Sequence, residues 1–489
     1  MNNLILFIGW IKNKIIGDYF SLKYFLRVHY FKGDHMKLII VLMSLLLSFE
    51  VLGKNIAIIG GGIAGVSTAY FLQDTGHTID VFEASSKLGG NADTRLISTG
   101  IRESKVPVDI GPQYLSREGW KNYLGLLRDL NILTPSDLYE FKSSLTIHQS
   151  DSIHLTTKFL CHPSPQNFLN IVELLRFQRK AHQFFQSGSL SKDMDFYSWK
   201  EKYRFNKKRT TDFLDPLIAS MRNAEIDEID NLSMLGISGM AAPVKPVKSL
   251  KYVGLKEGMQ SFIFKIADKV KSENIKFYTN SKVTSLSKMG MSYKLGVHHK
   301  IQNKLYDYVI VATDPLAAKN FFSHESSFEK IIPILDQFRF SPVTVYIHKN
   351  HQLLHPKCST FYNVNTREDG SYSVSMKLNE IHPSYGHLIK SFYLTQAEID
   401  ELYANNLVLE KRTFYHPVYD LDFIKAQLHL HKTTDAFGNL FFVGSWTRPY
   451  ETHDTAVQSA FIAASKIAPE FQSTWIRRIP SLRHISAKH

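Results

Sequence analysis

Cysteine is almost missing from this sequence. Cys161 and Cys358 are the two present, far apart and without a C-x-x-C spacing, which excludes a thiol redox motif and a cysteine zinc site and leaves open whether they pair. No apolar run reaches the roughly 20 residues that a membrane-spanning helix needs. The stretch from Leu38 to Phe49 has only 12. No Lys/Arg block dominates, although 58 Lys and Arg against 45 Asp and Glu leave a net charge of +13. Nucleic acid is therefore not expected as a partner, and an acidic ligand or an anionic membrane surface accounts for the charge equally well. Internal repeats and low-complexity linkers are absent too. What remains is a chain of 489 residues, 44% hydrophobic and 21% charged, with the composition of a globular protein and the length of two or three domains.

Against that background the stretch "IAIIGGGIAGVSTAYFL", residues 56 to 72, is unusually bare. Ile56-Ala57-Ile58-Ile59 reads as a strand buried on both faces, and Val66, Ala69, Tyr70 and Leu72 follow helical spacing. Between them Gly60, Gly62 and Gly65 fit G-x-G-x-x-G. In that pattern the first glycine makes the tight bend, the second lets the backbone approach a pyrophosphate, and the third lets helix and strand pack closely. A second strand, "HTIDVFEA", ends in Glu83, 23 positions after Gly60. A carboxylate there accepts hydrogen bonds from ribose hydroxyls, so the unit reads as a dinucleotide site for an unphosphorylated ribose. No second G-x-G-x-x-G follows a strand, which argues against a built-in NAD(P)H site.

From Met36 the chain reads "MKLIIVLMSLLLSFEVLGKN", a lysine, a short apolar stretch, then Val51 and Gly53. That is the layout of a secretory signal peptide cut between Gly53 and Lys54. Residues 1–35 are read as a leader outside the mature protein and 36–53 as the signal, so the protein is expected to be exported; if the signal is not used, it is cytoplasmic. Beyond it, three segments carry nucleotide-domain patterns: 54–120, 250–320 and 435–470. Residues 121–249, read as largely helical, and 321–434, read as strand-rich, form a second domain, and 471–489 is a basic tail.

Together these motifs resemble FAD-dependent oxidoreductases of the flavin-containing amine oxidase type, with a glutathione-reductase-like fold shared with phytoene desaturases and prenylcysteine oxidases. The bacterial amine-oxidase-like NAD/FAD-binding proteins are the most similar subgroup. The matching stretches are "GGNADT", "VDIG", "YIHKNHQLLHP" and "HDTAVQSA". The resemblance implies an α/β fold, a Rossmann-type FAD-binding domain interrupted by an α+β substrate domain. It places the FAD diphosphate on Gly60, Gly62, Ile63, Ala64 and Gly65, and the adenosine ribose on Glu83 and Ala84. Lys87, Gly90 and Asn91 would follow the pyrophosphate, Gln113 and Tyr114 would lie beside the flavin, and the backbone of Val283 would hold adenine. Gly444 and the first-turn N–H groups of Thr455, Ala456 and Val457 would face the ribityl chain and pyrimidine edge. No cysteine stands in "GSWTRPYETHDTAV", so the FAD is expected to be non-covalent.

Thr344 stands where family amine oxidases keep a lysine. Trp446 and Tyr450 are candidates for an aromatic substrate cage, and His348 and His453 for proton transfer. The reading is an enzyme that removes a hydride from a C–H bond of a small amine or lipid-like substrate, with dioxygen or a quinone reoxidising the flavin. One alternative is a lipid or isoprenoid desaturase or isomerase, favoured if residues 165 to 187, with Phe177, Phe184 and Phe185 beside Arg176, Arg179 and Lys180, lie on a membrane. A second is a non-catalytic FAD-binding module. No metal is expected.

Overall fold

Alternate side chains of the first strand, Asn55–Ile59, point to opposite faces of its sheet. Ile56 and Ile58 enter one apolar core, Ala57 and Ile59 another. In the computed structural model, which describes residues 53–99, 105–187, 194–241, 251–298, 300–322 and 325–486, this strand is the centre of a five-stranded parallel sheet. The order is Ile275–Tyr278, Thr78–Phe82, Asn55–Ile59, Tyr308–Val311 and Leu440–Phe442. Strands from the start, middle and end of the chain thus share one sheet. Buried on both faces, they need the continuous apolar runs seen in the sequence. The leader and signal segments lie outside the described residues.

Seven helices position the site. Helix α1 is Ile63–Leu72, α2 Lys121–Asp129, α3 Pro165–Gln186, α4 Asp215–Arg222, α5 Met234–Ala241, α6 Met259–Val270 and α7 His453–Ile467. Helices α1, α6 and α7 cover one face of the parallel sheet through Val66, Phe71, Phe262, Ile266, Ala460 and Phe461. On its other face lies the antiparallel meander Val283–Met289, Ser292–Val297 and Lys300–Tyr306.

A second, seven-stranded sheet runs Val408–Pro417, Phe340–His348, Ile389–Phe392, Tyr372–Lys377, Tyr362–Thr366, Leu145–Gln149 and Ser152–Thr156. Its apolar face, with Val343, Val345, Ile347, Val364 and Val374, packs with Phe177 of α3 and Leu217 and Ile218 of α4.

Two sequence expectations need correction. Residues 138 to 156 form three strands, Leu138–Lys142, Leu145–Gln149 and Ser152–Thr156, within the region read as helical. The period-two pattern of Leu145, Ile147, Ile153 and Leu155, broken by short Ser and Asp turns, is too brief to register in a helix-length window. The stretch read as a basic tail also folds back, burying Trp475, Ile479 and Leu482 in the core beside α1. Cys161 and Cys358, left open by the sequence, are joined by a disulfide.

Candidate functional site

The glycine turn combines two physical demands. Gly60 has φ +118°, where L side chains are strained, and a Cβ there would stand 2.7 Å from the Ala312 carbonyl oxygen. A Cβ on Gly65 would overlap the Gly60 carbonyl oxygen. Gly62, by contrast, is extended at φ −78°, and a Cβ would meet nothing nearer than Gly90 Cα at 3.7 Å. The fold itself leaves room for a side chain at Gly62. Helix α1 starts immediately after it with no side-chain cap and no acid in its first turn. The leading N–H groups of Ile63, Ala64 and Gly65 are thus directed at the space that Gly62 keeps clear, an arrangement suited to a phosphate.

Glu83 is buried at the end of Thr78–Phe82 and accepts from the Gly61 N–H at 2.8 Å and the Ser85 N–H at 2.7 Å. Each oxygen retains acceptor capacity for ribose hydroxyls. Ala84 and Lys87 follow it, exposed. The paired glycines come alongside the first turn: the Gly89 N–H donates to the Gly61 carbonyl at 3.0 Å, and Gly62 and Gly89 form a parallel bridge. Gly90 is left-handed at φ +61°, and Asn91 is exposed beside it.

Two residues that the sequence did not single out hold this region to the seven-stranded sheet. Arg412 donates to the Asp93 carboxylate at 2.6 Å and to the Gly90 carbonyl at 3.1 Å. Lys390 is buried and donates to the carbonyls of Asp109, at 3.1 Å, and Gly111. Asp109 in turn accepts from the Thr94 hydroxyl at 2.5 Å and the Met259 N–H at 2.9 Å, which fastens the start of α6. Burial drives both ionisable groups toward neutrality, the lysine down and the aspartate up. Their signals were a lone lysine inside the apolar run "HLIKSFYL" and a lone arginine in "LEKRTFYHP". Two positions further on from Gly111, Gln113 is buried with its Oε1 unpartnered, and Tyr114 sits edge-on to Tyr252 at 5.1 Å and Phe361 at 5.3 Å.

Thr344 does not face this region. Its hydroxyl meets that of Thr413 at 2.8 Å on the half-exposed side of the sheet, whereas Val343, Val345 and Lys390 occupy the buried side. The period of two along the strand puts adjacent positions on opposite faces, so a one-residue difference in alignment changes the face.

At the C-terminal segment Gly444, at φ +141°, donates its N–H to Ser459 Oγ at 2.9 Å. Thr452 caps α7: its hydroxyl accepts from the Thr455 N–H at 3.1 Å, and its carbonyl from the Ala456 N–H at 3.1 Å. Thr455 and Ala456 therefore do not offer free donors as expected from the sequence, and Val457 lies one turn in; the foremost N–H groups are those of His453 and Asp454. Asp454 is buried and clamps the start of α2, accepting from the N–H groups of Asn122 at 2.7 Å and Tyr123 at 3.0 Å. Val283 is buried at the start of the meander, paired with Val297.

Trp446 is a core residue, edge-on to Phe338 at 4.9 Å, with its indole N–H on the Thr313 carbonyl at 3.0 Å. It does not belong to a substrate cage. Tyr450 is half-buried against Gly239 and Phe185. His453 lies between Trp120 and Tyr123 with Nδ1 unpartnered, and burial pushes its pKa down to about 4. His348 is fully buried, bonded to Ser391 Oγ and the Asn350 N–H, also at about 4, which fits a structural role.

These residues fit FAD: the space kept clear by Gly62, the uncapped α1 terminus, the Glu83 carboxylate and the orphaned Gln113 oxygen are complementary to a diphosphate, a ribose and a ring with hydrogen-bonding edges. Among the described residues no cluster of metal-ligating side chains occurs.

Comparison with known proteins agrees. The chain is 26% identical over 316 residues to coproporphyrinogen III oxidase of Staphylococcus aureus, covering 56% of this chain and 64% of that protein. It thus spans just under two thirds of that relative's length. Among solved structures, cyclohexylamine oxidase from Brevibacterium oxydans superposes with TM-score 0.60 at 14% identity over 86% of this chain and all of that one. A fatty acid isomerase from P. acnes superposes with TM-score 0.61 at 12% identity, covering 86% and 98%. The family described as flavin containing amine oxidoreductase matches residues 63–349, more than half of the sequence. The chain belongs to that family.

Proposed function

We propose that this enzyme removes a hydride from a C–H bond of a small amine or lipid-like substrate and passes the electrons to dioxygen or a quinone. FAD, when bound, supplies the hydride acceptor. The α1 N-terminus and Gly62 hold the diphosphate, Glu83 the ribose, and the Asp109–Tyr114 turn, braced by Lys390, positions Gln113 beside the reacting site. The observation that carries the reading is Gly62, a glycine that the protein's own packing does not require. Purified protein is expected to be yellow and to release intact FAD with acid. An anaerobic screen of amines, porphyrinogens and unsaturated fatty acids for loss of flavin absorbance then identifies the substrate class. FAD-loaded protein bleached by none of them would instead support a non-catalytic module.

The lipid-like half of this reading has its own support. Phe168, Val172 and Leu175 lie along one face of α3 at 56%, 46% and 50% exposure, next to Leu169, Phe159 and Leu160 and followed by exposed Arg179. Phe177, expected on this face, is instead core. Such a stripe, apolar with a cation at its end, suits the surface of an anionic bilayer. No described helix is long and apolar enough to cross one. Binding to phosphatidylglycerol vesicles that is lost on Leu160→Asp with Phe168→Asp would support the contact; equal binding by the variant would remove it.

Export fits the Cys161–Cys358 disulfide, since such bonds persist in oxidising compartments. N-terminal sequencing of the protein from its native host is expected to begin at or near Lys54.

A further inference from the structure

Along the strand Val408–Pro417 the positions Lys411, Thr413 and Tyr415 are exposed on one side, and Arg412, Phe414 and His416 face inward on the other. Phe414 is core, whereas the inward-facing Arg412 and His416 keep 34% and 22% of their side chains open. That face therefore borders open space at two points. One is the diphosphate turn, where Arg412 donates to the Gly90 carbonyl. The other is the lead into α7, where His416 Nδ1 meets Glu451 Oε2 at 3.1 Å, next to the α7 cap Thr452. From Arg412 to His416 the strand advances about 13 Å, enough for the ribityl chain of an FAD held at Gly62 to bring its ring near His416.

Glu451 fixes the imidazole. By accepting from Nδ1–H it leaves the lone pair on Nε2, which makes no hydrogen bond among the described residues. A carboxylate on the far side of the ring also steadies the imidazolium that forms when Nε2 takes a proton. The field of Glu451 reaches Arg222 of α4, Tyr419 and His453, and on the His416 side of the strand Arg412 pairs with Asp93 at 2.6 Å. Arg222 stays cationic although burial lowers it, and burial pushes Tyr419 well above the ordinary phenol range and His453 down to about 4. None of these three changes charge between about pH 5 and 9.

We propose that His416, held by Glu451, is the proton acceptor of the reaction. This rests on the hydride-removing FAD reading above and narrows it: the carbon that loses hydride is bonded to, or conjugated with, a nitrogen that carries a proton. The N–H proton passes to the Nε2 lone pair, the electron pair it leaves forms the new C=N bond or extends the conjugation, and the C–H pair departs as hydride to the acceptor that FAD supplies. A pair that only straps the strand to the start of α7 is the competing outcome.

Two readouts of FAD-loaded protein test this. Without any substrate, the visible flavin spectrum should pass through one proton-linked transition between about pH 5 and 9. Glu451→Gln should retain that transition and His416→Asn should lose it, although the asparagine amide can still donate to Glu451. The second readout is anaerobic bleaching of the flavin by benzylamine, hexylamine and dipyrromethane, which carry such an N–H, and by oleate, which does not. At least one nitrogen compound is expected to bleach, about 100-fold more slowly in His416→Asn and about tenfold more slowly in Glu451→Gln. A protonated His416 accepts nothing, so the unmodified rate should fall toward low pH, and His416→Asn should lack that fall. A spectrum without the transition, or bleaching of His416→Asn within twofold of the unmodified protein, overturns the assignment. Should His416→Asn fail to fold, the transition together with the rate of Glu451→Gln decides, an unchanged rate overturning the proposal. Bleaching by oleate alone overturns His416 and leaves hydride removal standing. Protein that holds no FAD, or that none of the four compounds bleaches, overturns the underlying reading and this one with it.

Discussion

At the residue scale, glycines in one motif serve different ends. Gly65 is glycine because a Cβ would overlap the Gly60 carbonyl, so Gly65→Ala should cost about 2–3 kcal/mol by overpacking. Gly62 has 3.7 Å of clearance, so Gly62→Ala should leave the thermal midpoint nearly unchanged while weakening FAD binding. Gly62→Asp should abolish binding by placing a like charge in the diphosphate's position. Thermal melts and the absorbance of retained flavin separate the two effects. Stoichiometric FAD in Gly62→Asp would sink the site. The motif's spacing named all three glycines and gave each its role; the structure adds the clearances, with Gly60 and Gly65 closed to a side chain and Gly62 open to one. Burial made the same kind of distinction between Trp446, which is core, and Tyr450, which is half-buried.

Among elements, α2 and α7 are joined end to end through one carboxylate. Asp454 accepts from two backbone N–H groups of α2, from the Asn122 side chain at 2.8 Å and from Gln458 at 2.9 Å. Asp454→Ala leaves those buried donors unsatisfied and should cost about 3 kcal/mol in urea unfolding, with Asp454→Asn losing less. A change under 1 kcal/mol would show the clamp to be incidental. Asp454 stands in the first turn of α7, which is local information. Its partners on α2 lie more than 300 residues away, where no spacing rule reaches. The three strands within 138 to 156 escaped for the opposite reason, because their pattern is shorter than the window needed to see helices.

For the whole molecule, pH dependence follows from histidines buried neutral. His453 has its folded pKa lowered to about 4 from 6.5, so between those values the unfolded chain binds the extra proton and this contribution to stability falls as pH falls. His453→Phe, which suits the pocket of Trp120 and Tyr123, should gain on the unmodified protein by about 1.4 kcal/mol per pH unit on acidification from 6.5 toward 4. A pH-independent difference would refute the neutral assignment. The disulfide acts on the same scale, tying the turn Phe159–Cys161 to the loop before Tyr362–Thr366 across 197 residues. Cys161→Ser is expected to cost about 2–4 kcal/mol, and mass spectrometry of native protein should find no free thiol.

By itself the sequence determined the dinucleotide turn and its acidic partner, because their spacing is set by the backbone geometry of one strand–turn–helix–strand unit, while the FAD family entered through the resemblance of short motifs spread along the chain. Thr344 shows where that reach ends: with a period of two, one position of uncertainty exchanges the buried face of a strand for the exposed one. Only the tertiary structure brought Lys390, Arg412 and Asp454 to the site. Those relations depend on which faces of distant elements meet, and that is decided by packing rather than by any local pattern.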